Sequence, residues 1–139
     1  KFTKMTYLKF QSRAGNSTKP ISARVQTRYI DFAQENGWKF NKLVNLAVAS
    51  LIHDYQTDHL PERHKEALQM REPWCIPDGR FIEPTKAVSV RLRTDLYEYM
   101  DMNQINRNCA INYGLERWKK YYEEERVAGY VLIELRKRV

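Results

Sequence analysis

Histidine and cysteine side chains are the usual ligands of bound metal ions, but their spacing in this chain does not predict a metal site. His53, His59 and His64 lie six and five residues apart, so no regular helix directs all three toward one ion. The chain has two cysteines, Cys75 and Cys109, which are too few for a four-cysteine zinc site or a disulfide framework. We therefore expect no metal and no cofactor, and the sparse cysteines favour a reducing, cytoplasmic environment.

The sequence also lacks the motifs that build common catalytic sites. It has no glycine-rich phosphate loop, no serine-nucleophile elbow and no zinc-protease helix motif. Paired carboxylates such as Asp54 with Asp58 and Glu123 with Glu124 stand in strongly polar stretches, which is typical of solvated helix faces. The sequence therefore favours a binding protein over an enzyme.

Two short segments, residues 21–25 and 88–92, share an order of residue types that is suited to hydrogen bonding. Each alternates apolar residues with one serine and one arginine. These are Ser22 and Arg24 in the first segment, and Ser89 and Arg91 in the second. Alternation with period two is typical of a half-buried strand with its polar side chains on the open face. One such segment would indicate an ordinary solvent-facing strand, whereas two of them indicate a shared role.

The balance of charge indicates a polyanionic partner. The chain of 139 residues carries 24 Lys+Arg against 17 Asp+Glu, a net charge of +7. Residues 1–18 form a basic N-terminal arm without acidic residues. Lys9, Arg13 and the adjacent Lys19 would follow a phosphate backbone, but the composition is equally compatible with a solvated tail or with a short strand over residues 5–10.

The pattern around the two segments recurs along the chain. When the segments are aligned without gaps, Asn36, Asn41 and Asn45 all meet asparagines. In each copy the strand is followed by a short helix, over about 28–36 and 95–103, and then by a longer amphipathic helix. Because one unit of about 40 residues buries too little surface to be stable, we expect the two strands to pair antiparallel over interlocked helices, as an internal pseudo-dimer.

The two strand segments, with residues 33–37 of the first copy, resemble the ribbon-helix-helix family of DNA-binding proteins (the MetJ/Arc type). The resemblance covers residues 19–57 and 86–126. It implies a mostly α-helical fold with a short antiparallel β-ribbon, built from two ribbon-helix-helix units in tandem. Members of the family usually carry one unit per chain and dimerise. The second copy departs from the family pattern because no glycine precedes its longer helix.

This resemblance implies that the ribbon enters the major groove of double-stranded DNA and that its outward side chains contact bases. Those side chains would be Ser22, Arg24, Gln26, Ser89, Arg91 and Arg93. Arginine can fork onto O6 and N7 of guanine, and serine can bond to either kind of base edge. Because Pro20, Ala23 and Gln26 in one copy correspond to Ala87, Val90 and Arg93 in the other, we expect unequal half-sites in the target, with recognition biased by Arg91 and Arg93.

The resemblance also implies that the amino end of each longer helix holds a DNA phosphate through unpaired backbone amides. The residues at these positions are Lys39, Asn41, Asn106, Arg107 and Asn108. Asn106 would serve equally well as an N-cap. Asn45 and Asn112 stand within apolar helices, and we expect a structural role for both.

Two segments lie outside the repeated units. Residues 58–85 form a proline-rich connector with a short helix over about 61–71. Residues 127–139 form a C-terminal strand and a basic tail. An exposed strand there would pair with residues 5–10 or with a second chain, so self-association is expected.

Together these features predict a sequence-specific protein that binds double-stranded DNA, most simply a transcriptional repressor. Within the same class, the alternative is an accessory factor of a relaxosome or a replication origin. From another class, the alternative is a protein-interaction module on the same fold. No apolar run approaches the roughly 18 residues of a membrane span, so no membrane partner is expected.

Overall fold

The structure is a computed structural model that describes residues 17–69 and 84–136, and in these two ranges the chain is mostly helical with one two-stranded antiparallel sheet. The predicted fold class, mostly α-helical with a short antiparallel β-ribbon, is therefore confirmed. In chain order the elements are β1 (Thr18–Gln26), α1 (Thr27–Glu35), α2 (Phe40–Gln56), α3 (Glu62–Leu68), β2 (Thr85–Arg93), α4 (Thr94–Met102), α5 (Arg107–Glu123) and α6 (Gly129–Arg136). Within these ranges no helix combines the length and the apolar character needed to cross a membrane.

The elements of the second range repeat those of the first with a constant offset. The strands begin at Thr18 and Thr85, and the long helices begin at Phe40 and Arg107, with the same separation along the chain. The third helices keep this separation too, because α3 begins at Glu62 and α6 at Gly129. The internal repeat therefore extends one helix further than the sequence pattern indicated.

The prediction of a C-terminal strand is wrong, because residues 130–135 lie in α6. Val131 and Leu135, four residues apart, are the buried positions of this helix, while Tyr130 and Ile133 are exposed. That spacing is helical. A run of apolar residues satisfies both periods, and the burial of Val131 and Leu135 in the fold decides between them. Lys42 of α2 contacts this helix, since its Nζ donates to the carbonyl oxygen of Glu134 at 3.1 Å. Self-association through an open strand edge loses its basis.

The ribbon packs one face onto the long helices. Ser22 lies opposite Ser89 at its centre, and the apolar residues on either side of this pair are turned inward. Those buried residues are Ile21, Ala23, Val25, Val90 and Leu92. The alternating pattern therefore produces the half-buried ribbon that the sequence predicted.

Both short helices end in a residue with left-handed backbone geometry. Gly37 has a φ of 71°, and Gln104, at the equivalent place after α4, has a φ of 57°. Glycine adopts this conformation at little cost, whereas a glutamine backbone is strained in it. In each copy the amide of the following residue donates back to a carbonyl of the short helix, from Trp38 N to Ala33 O and from Ile105 N to Met100 O. The second copy therefore forms the same turn with glutamine in place of glycine.

Cys109 is fully buried in α5 and is disulfide-bonded. The other cysteine of the chain, Cys75, lies outside the described residues. The expectation of a reducing, cytoplasmic compartment stays a prediction.

The long helices α2 and α5 cross where Gly114 meets Ala47. A Cβ atom added at Gly114 would lie 3.2 Å from the carbonyl oxygen of Ala47, which belongs to a helix backbone and yields little. Glycine therefore sets how closely the two helices approach.

We expect Gly114→Ala to lower the free energy of unfolding by about 1 kcal/mol, because overpacking outweighs the better helix propensity of alanine. Gly129→Ala in α6 is the matched control, since an added Cβ there meets no atom within 4 Å. Urea denaturation of both variants measures the difference. If Gly114→Ala raises the free energy of unfolding as much as the control does, the helices do not cross as closely as the structure shows.

Candidate functional site

The open face of the ribbon carries the serine and arginine side chains that the sequence singled out. Ser22, Arg24, Ser89 and Arg91 are all exposed. The two arginines stand on either side of the central serine pair, since Arg24 lies opposite Ala87 and Arg91 lies opposite Pro20. The face therefore presents two guanidinium groups related by a twofold arrangement.

Each arginine is held in place by a threonine at the start of the other strand. The Nε–H of Arg24 donates to Thr85 Oγ1 at 3.3 Å, and that of Arg91 donates to Thr18 Oγ1 at 3.0 Å. These threonines occupy equivalent positions in the two copies of the repeat, and their role was not predicted from the sequence. Because the contact uses Nε, the terminal nitrogens of Arg24 stay available for an external acceptor.

Asparagines of the long helices hold the outer edges of the ribbon. Asn112 of α5 accepts from Gln26 N at 3.0 Å and donates to Arg24 O at 2.9 Å. Asn45 of α2 makes the same pair of bonds to β2, accepting from Arg93 N and donating to Arg91 O. Edge groups of a two-stranded sheet otherwise lack partners. The expected structural role of Asn45 and Asn112 is therefore this bracketing of the strands.

Two of the predicted phosphate contacts are also engaged with the ribbon. Asn108 Oδ1 accepts from Arg24 N at 2.9 Å, and Asn41 Oδ1 accepts from Arg91 N at 3.3 Å. These oxygens position the backbone of the two arginines. A phosphate role for Asn41 and Asn108 would have to use their remaining amide groups.

The amino ends of α2 and α5 lie beside the ribbon. A depression lined by Lys39, Asn41 and Ser89 joins the start of α2 to the strand β2. At the start of α5, Asn106 caps the helix by accepting from Cys109 N at 3.0 Å, as one of its two predicted roles required. Arg107 next to it is exposed. The predicted phosphate-binding residues therefore stand at the ends of the open face of the ribbon.

Of the three basic residues predicted to follow a phosphate backbone at the N-terminal arm, Lys19 is the one that the described residues include. Lys19 is exposed, and its Nζ lies 4.2 Å from the ring centre of Tyr97 in α4. The Arg107 guanidinium lies 5.6 Å from the same ring. Lys9 and Arg13 fall outside the described residues. The Tyr97 ring therefore gathers two cations at one end of the ribbon.

Gln26 and Arg93 do not lie on the open face. Gln26 is 0% exposed and Arg93 is 4% exposed. Each is the last residue of its strand, and α1 or α4 begins at the next residue, so the turn of the chain covers them. Arg93 donates to both carboxylate oxygens of Asp95, and Gln26 Oε1 accepts from Arg28 Nε. Strict alternation fails at these positions because the strand ends there.

Burial of these two residues leaves little reason to expect unequal half-sites. Two of the three differences that prompted this expectation lie at buried positions, namely Gln26 against Arg93 and Ala23 against Val90. Over residues 20–24 and 87–91, the exposed side chains differ only in Pro20 against Ala87. The open face is therefore nearly the same in both halves.

Comparisons of this chain with protein-family models, with curated proteins and with solved structures found no match.

Proposed function

We propose that this protein binds double-stranded DNA sequence-specifically by placing its ribbon in the major groove. The observation that carries the proposal is the exposed face centred on Ser22 and Ser89, with Arg24 and Arg91 on either side. On this proposal the two repeated units are ribbon-helix-helix units, and together they form an internal pseudo-dimer. Occupying a promoter in this way would make the protein a transcriptional repressor.

The dimensions of the ribbon support this mode of binding. The major groove is about 12 Å wide and admits a two-stranded ribbon. Arg24 and Arg91 are four residue pairs apart along the ribbon, which corresponds to about 13 Å at the rise of an antiparallel strand. Since each DNA strand advances about 3.4 Å per nucleotide, the two guanidinium groups would span about four base pairs. Each would fork onto a guanine, one on each DNA strand.

The helix ends supply the second part of the proposal. Backbone amides at a helix amino end favour an anion, and contacts of this kind fix position without reading sequence. The starts of α2 and α5 flank the ribbon, with Lys39 at one and Arg107 at the other. We assign to these two ends the phosphates on either side of the contacted bases.

A selection from random double-stranded DNA tests the proposal. We expect enrichment of a short inverted repeat with guanines about four base pairs apart and its centre under Ser22 and Ser89. Footprinting of the selected site should protect the central base pairs and the phosphates on both sides. A pool without enrichment, together with weak binding that disappears at moderate salt, would favour a protein-interaction module with nonspecific DNA affinity.

A further inference from the structure

A cavity of about 320 Å³ lies between the start of α3 and the second half of α5. This volume falls at the lower end of the range for small-molecule sites. The walls come from Tyr113, Glu116, Arg117 and Lys120 of α5, with His64 of α3 opposite. The ribbon contacts the other half of α5, through Asn108 and Asn112. The cavity is therefore separate from the proposed DNA surface.

The carboxylates in the cavity wall are already engaged. Glu116 Oε1 accepts from the hydroxyl of Tyr29 at 2.6 Å and pairs with Arg28 at 3.3 Å. Glu124 pairs with Arg126 at 3.2 Å. Both acceptors are therefore committed to protein groups.

The donors of the wall outnumber these acceptors. Lys120 has no acidic partner among the residues of the described ranges. Arg117 pairs with Asp54 and also donates to the hydroxyl of Tyr121 at 3.2 Å. Lys120 is exposed and Arg117 is half-buried, so water solvates the ammonium in the free protein and a ligand that brings negative charge would contact both groups.

The internal repeat provides a comparison within the same molecule. When the two copies are aligned, His64, Tyr113, Glu116 and Arg117 correspond to Val131, Leu46, Ala49 and Ser50. All four counterparts are no more than 2% exposed. At these four positions one copy therefore carries small or apolar buried side chains, whereas the other carries polar side chains in the wall of the cavity. Packing of the helices alone does not require this polar set.

We propose that this cavity binds a small organic anion, namely a carboxylate attached to a flat ring. Lys120 and Arg117 would meet the carboxylate by charge-assisted hydrogen bonds. The half-buried ring of Tyr121, which also lines the cavity and has the Arg126 guanidinium 4.2 Å from its centre, would contact the flat part of the ligand through the part of the ring that this guanidinium leaves open. This site does not depend on the proposed DNA function.

Titration of the full-length, ¹⁵N-labelled chain with sodium benzoate tests the proposal. We expect saturable shifts of amide signals from the start of α3 and the second half of α5. Benzamide, which has the same ring without the charge, should bind at least about tenfold more weakly, because it loses the charge-assisted contact. Lys120→Gln should weaken benzoate binding to a similar extent. The amide spectrum of each variant reports whether it is folded.

Lys119→Gln is the matched control, since Lys119 is the next residue along α5 and instead pairs with Glu123 at 2.6 Å. It loses the same charge and should bind benzoate as the parent does. No saturable shift up to the solubility limit of benzoate would overturn the proposal. So would equal binding of benzamide and benzoate, or equal loss of affinity in the two lysine variants.

Discussion

The double variant Arg24→Ala/Arg91→Ala should bind the selected DNA site about thirtyfold to twenty-thousandfold more weakly than the parent. Each bidentate contact to a guanine contributes about 1–3 kcal/mol, and the two sites contact different base pairs. The variant should also lose its preference for guanine at both positions. Fluorescence anisotropy with the selected duplex and with its guanine-substituted versions measures both effects. Its residual affinity should resemble that for random DNA, because the phosphate contacts remain.

The double variant Arg63→Ala/Lys119→Ala removes the same number of positive charges away from the ribbon. Arg63 lies in α3 and Lys119 lies in the second half of α5. We expect the affinity for the selected site to change by about threefold or less in moderate salt. Neither residue belongs to the ribbon, and screening reduces the contribution of charges beyond about 10 Å. If the control loses as much affinity as the ribbon variant, the binding is electrostatic and the ribbon does not read bases.

The ribbon could be predicted because its sequence pattern has one physical explanation. Alternation over residues 21–25 and again over 88–92 leaves each strand with one apolar face and two unpaired edges. Pairing the strands solves the edge problem, and packing the apolar faces on α2 and α5 buries them. The serine and arginine positions on the open face follow directly from the period.

The ends of the elements were not predictable from period alone. Gln26 and Arg93 continue the alternation, yet the helix that begins at the next residue buries them. In the same way, residues 130–135 are apolar enough for a strand, and only their packing shows which positions are buried. These errors concern contacts between elements, which local pattern does not encode.

The third helix of each range illustrates why the repeat looked shorter in the sequence. Leu68 and Leu135 are identical and fully buried at equivalent positions. Other equivalent pairs, such as His64 with Val131, differ in chemistry, since His64 lines a cavity and Val131 is buried among the residues around it. Residue types differ at equivalent positions where the two copies have different surroundings. The third helices therefore repeat in backbone structure, although most of their residues do not match in the sequence.

Asn112 of α5 stabilises the ribbon by hydrogen bonds to β1. It is 0% exposed, and its amide group makes three hydrogen bonds of 3.0 Å or less, to Gln26 N, Arg24 O and Asn108 O. We expect Asn112→Ala to lower the free energy of unfolding by about 3 kcal/mol, since it leaves buried backbone groups of β1 without partners. Urea denaturation, followed by far-UV circular dichroism, measures the loss.

Asn45→Ala is the natural comparison, because Asn45 makes the equivalent bonds to β2 but is only half-buried. Water can replace the lost partner there, so we expect the free energy of unfolding to fall by about 1 kcal/mol.

A substitution that keeps the shape, Asn112→Asp, separates hydrogen bonding from packing. It retains the acceptor for Gln26 N and, when ionised, removes both donors. Burial raises the pKa of the new carboxyl in the folded state, so its penalty should be larger at pH 7 than at pH 4. If all three variants have the parent's free energy of unfolding, the strands are held by packing alone, and the hydrogen bonds of the asparagines contribute no stability to the ribbon.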